Sequence, residues 1–208
     1  MIHTILDTDL YKFTTSYAYI KLLPYALGTF SFKDRDETAY TDEFLRRLKE
    51  AVARLSEVTL TREELEYMTK HCRFLPGVYW EWLSSFRFRP DKIDISLDKD
   101  RHLSIEITDY LYKATLYEVP LLAIVSEIKN QVLGNVADMD DIICKLSEKV
   151  TLSNEHRLSF SEVGTRRRFS FDVQDKVIDC LKQTAHYCTG TSNCHFAMKY
   201  GMKTMGTH

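Results

Sequence analysis

Leu158-Ser159-Phe160-Ser161-Glu162-Val163-Gly164-Thr165-Arg166-Arg167-Arg168-Phe169-Ser170-Phe171 sets the pattern of the C-terminal part of the chain. Leu158 to Val163 reads as a short strand, three guanidinium groups follow it, and a helix is expected from Phe171 to about His186. The same order then returns. Tyr187 to Thr189 is a strand stub, Gly190-Thr191-Ser192-Asn193 a polar loop, Thr191 to Tyr200 a helix, and Thr204 to Gly206 the start of another strand. Strands that alternate with helices predict a parallel α/β arrangement. In such folds ligands gather at the carboxyl ends of strands, so three polar loops, the last Gly206-Thr207-His208, are expected to open on one mouth.

Upstream the pattern differs. Leu10, Phe13, Thr14, Tyr17 and Ile20 recur at helical spacing up to Pro24, and Leu27 to Phe32 reads as a strand. A helix starting at Thr41 carries the stripe Phe44, Leu48, Ala51, Val52 and Leu55. Thr61-Arg62-Glu63-Glu64 is a capping box opening a helix to about His71. A helix from Pro76 to Phe86 is expected to turn Tyr79, Trp82 and Leu83 to the core. Ile93, Ile95 and Leu97, then Leu103, Ile105 and Ile107, alternate with polar residues and predict a hairpin. Tyr110, Tyr112, Ala114 and Leu116 keep the period of two and predict a third antiparallel strand. At Pro120 the character changes to a helix apolar nearly all round, followed by a helix from Asp138 to about Lys149. A boundary is therefore expected there, dividing an α+β segment, 1–120, from an α/β segment, 121–208.

The composition excludes several classes. With 208 residues, 44% hydrophobic and 28% charged, the chain is expected to fold into one or two domains. Lys+Arg 28 against Asp+Glu 30 gives a net charge of -2, so no global field draws it to nucleic acid or anionic lipid. No apolar run approaches the ~20 residues of a membrane span and no basic leader precedes one, which reads as a cytoplasmic protein without membrane attachment. Five cysteines suit free thiols in a reducing compartment.

Arg166 to Arg168 lie between a strand and a helix start, where a donor fork and exposed amides together favour phosphate or carboxylate. The bland alternative is a solvated turn. Ser192 and Asn193 are polar groups at a helix start, where caps are commoner than ligand contacts. His186, Cys188, Cys194 and His195 cluster, but their spacing lacks a zinc knuckle, and no metal site is expected. The acidic residues of 1–120 form no close pair on any one element.

Leu6-Asp7-Thr8-Asp9-Leu10-Tyr11-Lys12, Phe86-Arg87-Phe88, Tyr117-Glu118-Val119-Pro120-Leu121-Leu122, Glu162 to Arg167, Gly190 to Asn193 and Gly206-Thr207 stand in a telling order. In that order and approximate spacing the sequence resembles the nicotinate phosphoribosyltransferases. The resemblance implies an α/β fold in which 121–208 is the beginning of an irregular, incomplete barrel. It implies a homodimer with shared active sites that joins nicotinate to 5-phosphoribosyl pyrophosphate in NAD salvage, with Mg2+ and ATP and a phosphorylated histidine. Tyr11 matches a tyrosine that the partner subunit stacks on nicotinate; the residues alone make it a core position of the first helix. Arg166, with Arg167 beside it, matches an arginine near the substrate carboxylate and phosphates. Ser192, next to Asn193, stands where nicotinamide-using relatives have an aspartate, and a neutral group there favours an anionic ring. Gly206 and Thr207 match a loop supporting nicotinate. Members of that family are longer, and their phosphohistidine lies two positions beyond His208. The expectation is a fragment or split gene product without ATP-coupled activity of its own. A noncatalytic dimer partner of a longer subunit and a small anion-binding module are the alternatives.

Overall fold

In the computed structural model, residues 1–32, 34 and 38–206 are described. Strand β3 (Leu103–Tyr110) buries Leu103, Ile105, Ile107 and Asp109 while Glu106 and Thr108 face out, the alternation expected of a half-buried strand. β2 (Ile93–Leu97) pairs antiparallel with it, Ile95 opposite Ile105 and Leu97 opposite Leu103, so the hairpin has its expected register. Its turn is held by the Asp98 carboxylate, which accepts the amides of Asp100 at 2.9 Å and His102 at 2.8 Å. The third strand is β1 (Leu27–Ser31), with Phe30 opposite Ile107, giving the order β1-β3-β2.

The strand expected over Tyr110 to Leu116 is not there. The Leu111 amide bonds the Ala26 carbonyl at 2.9 Å, and the chain enters a short helix and a 3-10 turn that bury Ala114, Leu116 and Tyr117. A period of two over four residues competes poorly with the helical pair Ala114 and Tyr117, three apart and both buried.

Around this sheet pack α1 (Leu10–Leu22), α2 (Asp42–Ala53), α3 (Arg62–His71), α4 (Gly77–Ser85) and the short α5 (Leu111–Ala114). The capping box is complete: the Glu64 amide donates to Thr61 Oγ1 at 3.2 Å and the Thr61 amide to Glu64 Oε2 at 2.8 Å. In α4 the buried residues are Tyr79, Trp80 and Leu83, and Trp82, expected inside, is half-buried against Tyr112 and Phe86. Trp80 and Leu83, three apart, set the core face.

α6 (Glu118–Val132) is buried on nearly every side, from Val119 to Ile128, and Pro120 sits in its first turn, where no amide partner is lost. α7 (Met139–His156) runs two turns past its expected end, to Arg157 in the left-handed region. The parallel part begins with β4 (Phe160–Glu162) and α8 (Phe171–Thr184), then β5 (Cys188–Thr191) and α9 (Cys194–Tyr200). β4 and β5 pair in parallel, and Thr191 bridges Thr204 in the same sense, so the strand expected from Thr204 is begun. Gly190 makes this possible. Its φ is +151°, and a Cβ there would stand 2.1 Å from the Lys203 carbonyl oxygen. One core runs from Ile5 and Leu6 through Trp80 and Ile124 to Cys194. Among the described residues no helix is long and apolar enough to cross a membrane.

Candidate anion-binding site

The N-terminal segment lies across the tips of the parallel strands. The Leu10 amide donates to the Ser192 carbonyl at 2.9 Å, the Cys194 amide to Thr8 at 3.0 Å and the His195 amide to Leu6 at 2.9 Å. These bonds set two carboxylates, Asp7 and Asp9, against the strand tips. Asp9 occupies the N-cap of α1, yet its side chain caps nothing. Instead Asp9 Oδ1 accepts the Ser192 hydroxyl at 2.7 Å, and Oδ2 lies 3.6 Å from Arg166 Nε. Burial pushes the Asp9 carboxyl up from its ordinary range, against the pull of Ser192 and Arg166.

The three consecutive arginines have three different fates. Arg168 is buried and bidentate to Asp7, Nη1 at 2.8 Å and Nη2 at 2.9 Å, so its charge is fully committed. Asn193 Nδ2 donates to the same carboxylate at 2.8 Å and to Thr165 Oγ1 at 3.0 Å, while its Oδ1 caps α9 through the Phe196 amide. Arg167 is exposed. The Arg166 side chain is 41% exposed and stands between two carboxylates at 3.6 Å from Asp9 and 3.4 Å from Glu118. Both distances exceed the ~2.7–2.9 Å of a strong charge-assisted bond, so this guanidinium is held in place without being used up.

Glu118, the first residue of α6, completes the group. It accepts from Tyr11 Oη at 3.4 Å, from Arg166 Nη1 at 3.4 Å and from Lys12 Nζ in a short contact. The Arg166 guanidinium carbon lies 6.0 Å from the centre of the Tyr11 ring. Burial first and the Glu118 charge next push the Tyr11 phenol up to about 12, so at neutral pH it is a donor. Glu118, Arg166 and Arg167 also line a cleft of about 860 Å³ whose apolar wall includes Phe30, Ile107, Leu121 and Val125.

Two family models match the chain. Residues 6–126 match the nicotinate phosphoribosyltransferase N-terminal domain, and residues 158–208 the nicotinate phosphoribosyltransferase family. The chain belongs to the nicotinate phosphoribosyltransferase family. Curated relatives include the nicotinate phosphoribosyltransferase of Chromohalobacter salexigens, 37% identical over all of this chain and 54% of the relative, and that of Methanosarcina acetivorans, 35% identical over 55% of the relative. A solved nicotinate phosphoribosyltransferase from Porphyromonas gingivalis superposes on the whole chain with a TM-score of 0.97 and 42% identity, using 54% of its own length. A putative one from Saccharomyces cerevisiae gives 0.91 at 28% identity over 99% of this chain and 54% of its own. The chain thus spans about half the length of the nicotinate phosphoribosyltransferases it matches.

In this nicotinate phosphoribosyltransferase segment the residues singled out from sequence are partly brought together. Tyr11 and Arg166 share Glu118, and Ser192 joins Arg166 through Asp9. Tyr11 reaches this group within a single chain. Arg167 is exposed and lines the adjoining cleft. Ser192 and Asn193 are fully buried, with Asn193 spent on Asp7, Thr165 and the α9 cap. Gly206 is exposed just beyond Met205, whose amide bonds Thr191 at 2.9 Å; Thr207 and His208 lie outside the described residues. The carboxylates were not foreseen. Asp7, Asp9 and Glu118 form no close set in the sequence, because only the crossing of the N-terminal segment over the strand tips unites them. The signal available was Asp9, a capping residue type before a helix, and the blocks Leu6 to Lys12 and Tyr117 to Leu122 that carry the family likeness.

Proposed function

We propose that the site binds nicotinate and that the chain carries the nicotinate-recognising part of a nicotinate phosphoribosyltransferase. The reaction joins the pyridine nitrogen of nicotinate to C1 of 5-phosphoribosyl pyrophosphate. An N–C bond forms, the C–O bond to pyrophosphate breaks, and nicotinate mononucleotide enters NAD salvage. The observation that carries this reading is Arg166, a half-exposed guanidinium in loose contact with Asp9 and Glu118 beside the Tyr11 ring. A ring carboxylate that replaces either contact gains a closer charge-assisted pair, beside the Tyr11 ring, whose centre lies 4.6 Å from the Lys12 ammonium. The neutral Ser192 hydroxyl behind Asp9 adds no charge that would repel an anion. As positive charge develops on the ribose, Asp9 and Glu118 supply fixed negative charge nearby.

In this proposal the protein is cytoplasmic and homodimeric with shared active sites, acting on small molecules without nucleic acid or membrane. Mg2+ and ATP accompany the substrate phosphates. Among the described residues no group of three or more His, Cys, Asp or Glu side chains is placed to hold a metal. Tyr11, Arg166, Arg167, Ser192, Asn193, Gly206 and Thr207 remain the proposed substrate-binding set, Asn193 acting through its hold on the loop.

The test is incubation of the 208-residue chain with nicotinate, 5-phosphoribosyl pyrophosphate, Mg2+ and ATP, with chromatography for nicotinate mononucleotide, beside equilibrium dialysis of labelled nicotinate. Nicotinate binding is expected. Absence of binding at millimolar nicotinate overturns the proposal. Co-purification with a longer subunit would favour the noncatalytic-partner reading.

A further inference from the structure

We propose that Glu118 is a positioning residue of this site: its carboxylate, anchored by buried Lys12, fixes the Tyr11 hydroxyl and the Arg166 guanidinium relative to each other. The inference rests on the nicotinate reading and names what orients the ring acid within it. The two oxygens of Glu118 divide the work. Oε2 takes Lys12 Nζ, and Oε1 alone takes both Tyr11 Oη and Arg166 Nη1, each at 3.4 Å.

The anchor is firm for three reasons. The Lys12 side chain is 5% exposed, and an ammonium buried to that degree needs a counter-ion. Glu118 opens α6, where the helix dipole favours a carboxylate. Its neighbours Tyr117, Val119, Pro120 and Leu121 are held in the core or at its edge, which leaves the backbone little freedom. The two bonds on Oε1, by contrast, are long. They align the phenol and the guanidinium yet release either to an incoming carboxylate at small cost.

A ring acid then meets two groups whose separation is set before it arrives, and the position of its carboxylate on the ring decides whether both are reached. Glu118 thereby discriminates a 3-carboxylate from a 4-carboxylate of the same charge and size. Were it only a repelling charge, its removal would tighten both acids alike.

Glu118→Gln keeps the shape and an acceptor oxygen and removes the charge. The double variant Lys12→Met/Glu118→Gln, which leaves no unpaired buried ammonium, covers the case in which the single variant fails to fold. Tyr11 is followed by 13C NMR of labelled tyrosine, assigned with Tyr11→Phe, at about pH 10, where an ordinary tyrosine is half ionised. Calorimetry measures nicotinate against isonicotinate, the 4-carboxylate. Burial keeps most of Tyr11 protonated in both proteins, the ionised fraction is larger in the variant because the Glu118 charge is gone, and the nicotinate to isonicotinate affinity ratio falls about tenfold. An unchanged Tyr11 signal, or an unchanged ratio, overturns the positioning role. Wild type that binds neither acid overturns the nicotinate reading and the positioning role with it; the ligand-free Tyr11 signal still reports the Glu118 contact separately.

Discussion

Replacing Asp7 by alanine removes the carboxylate on which the N-terminal segment and the strand tips converge. Asp7 is 0% exposed and the Arg168 side chain 2%, and three donors end on this one group: two guanidinium nitrogens at 2.8 and 2.9 Å and Asn193 Nδ2 at 2.8 Å. Breaking a buried ion pair from one side costs ~3–5 kcal/mol, because the other charge stays buried. The orphaned Asn193 donor adds ~1 kcal/mol. A loss of about 4–6 kcal/mol is therefore expected, a large part of the ~5–15 kcal/mol that holds a domain together. At ~2–4 °C per kcal/mol for a chain of this size, the melting temperature should fall by about 8–24 °C. Urea unfolding followed by circular dichroism gives the free energy, and a thermal melt gives the shift. The double variant Asp7→Ala/Arg168→Met, which buries no unpaired charge, should recover part of the loss. A cost below about 1 kcal/mol, or a double variant no better than the single one, would mean that the Asp7–Arg168 pair does not hold these segments together.

Asp9→Asn keeps an acceptor for Ser192 and removes an acid whose folded pKa is raised chiefly by burial. Such an acid binds its proton more tightly when folded, so wild-type stability falls as pH rises from 3.8 to the raised value and stays low above it. The variant should gain on the wild type through that window, and parallel stability curves would count against the burial argument. Gly190→Ala sets a Cβ against the Lys203 carbonyl at φ +151° and should cost ~1–3 kcal/mol or more in urea unfolding; a neutral effect would mean the β5 to Thr204 approach is looser than described. Ser192→Asp puts a second carboxylate within hydrogen-bond reach of Asp9, so nicotinate affinity should drop at least ~tenfold relative to nicotinamide in calorimetry. Equal losses for both ligands would remove Ser192 from any role in selectivity.

Elements governed by local physics were legible in the sequence. The Thr61 and Glu64 box, the α2 stripe and the β2 to β3 register need only neighbours a few residues apart, and the structure has each of them. Where partners come from far away, sequence gave a partial reading. The strand beside β3 is β1 rather than Tyr110 to Leu116, since a strand's partner is chosen by the whole sheet. Trp82 and Trp80 exchange places for a similar reason: both fit a helix face, and the rest of the core decides which is turned in. The arginine run reads as a candidate anion site, and the sequence carries no sign of how the three side chains divide. Burial on Asp7 spends Arg168, while Arg166 is left between two long contacts, and neither fact has a trace in the run itself.

Calorimetric titration of nicotinate into the chain and into Arg166→Ala reads out the proposed pairing of Arg166 with the nicotinate carboxylate. Binding to the wild type should weaken by about tenfold or more in the variant, with nicotinamide, which carries no charge, affected much less. Equal nicotinate affinity in the two proteins would contradict it.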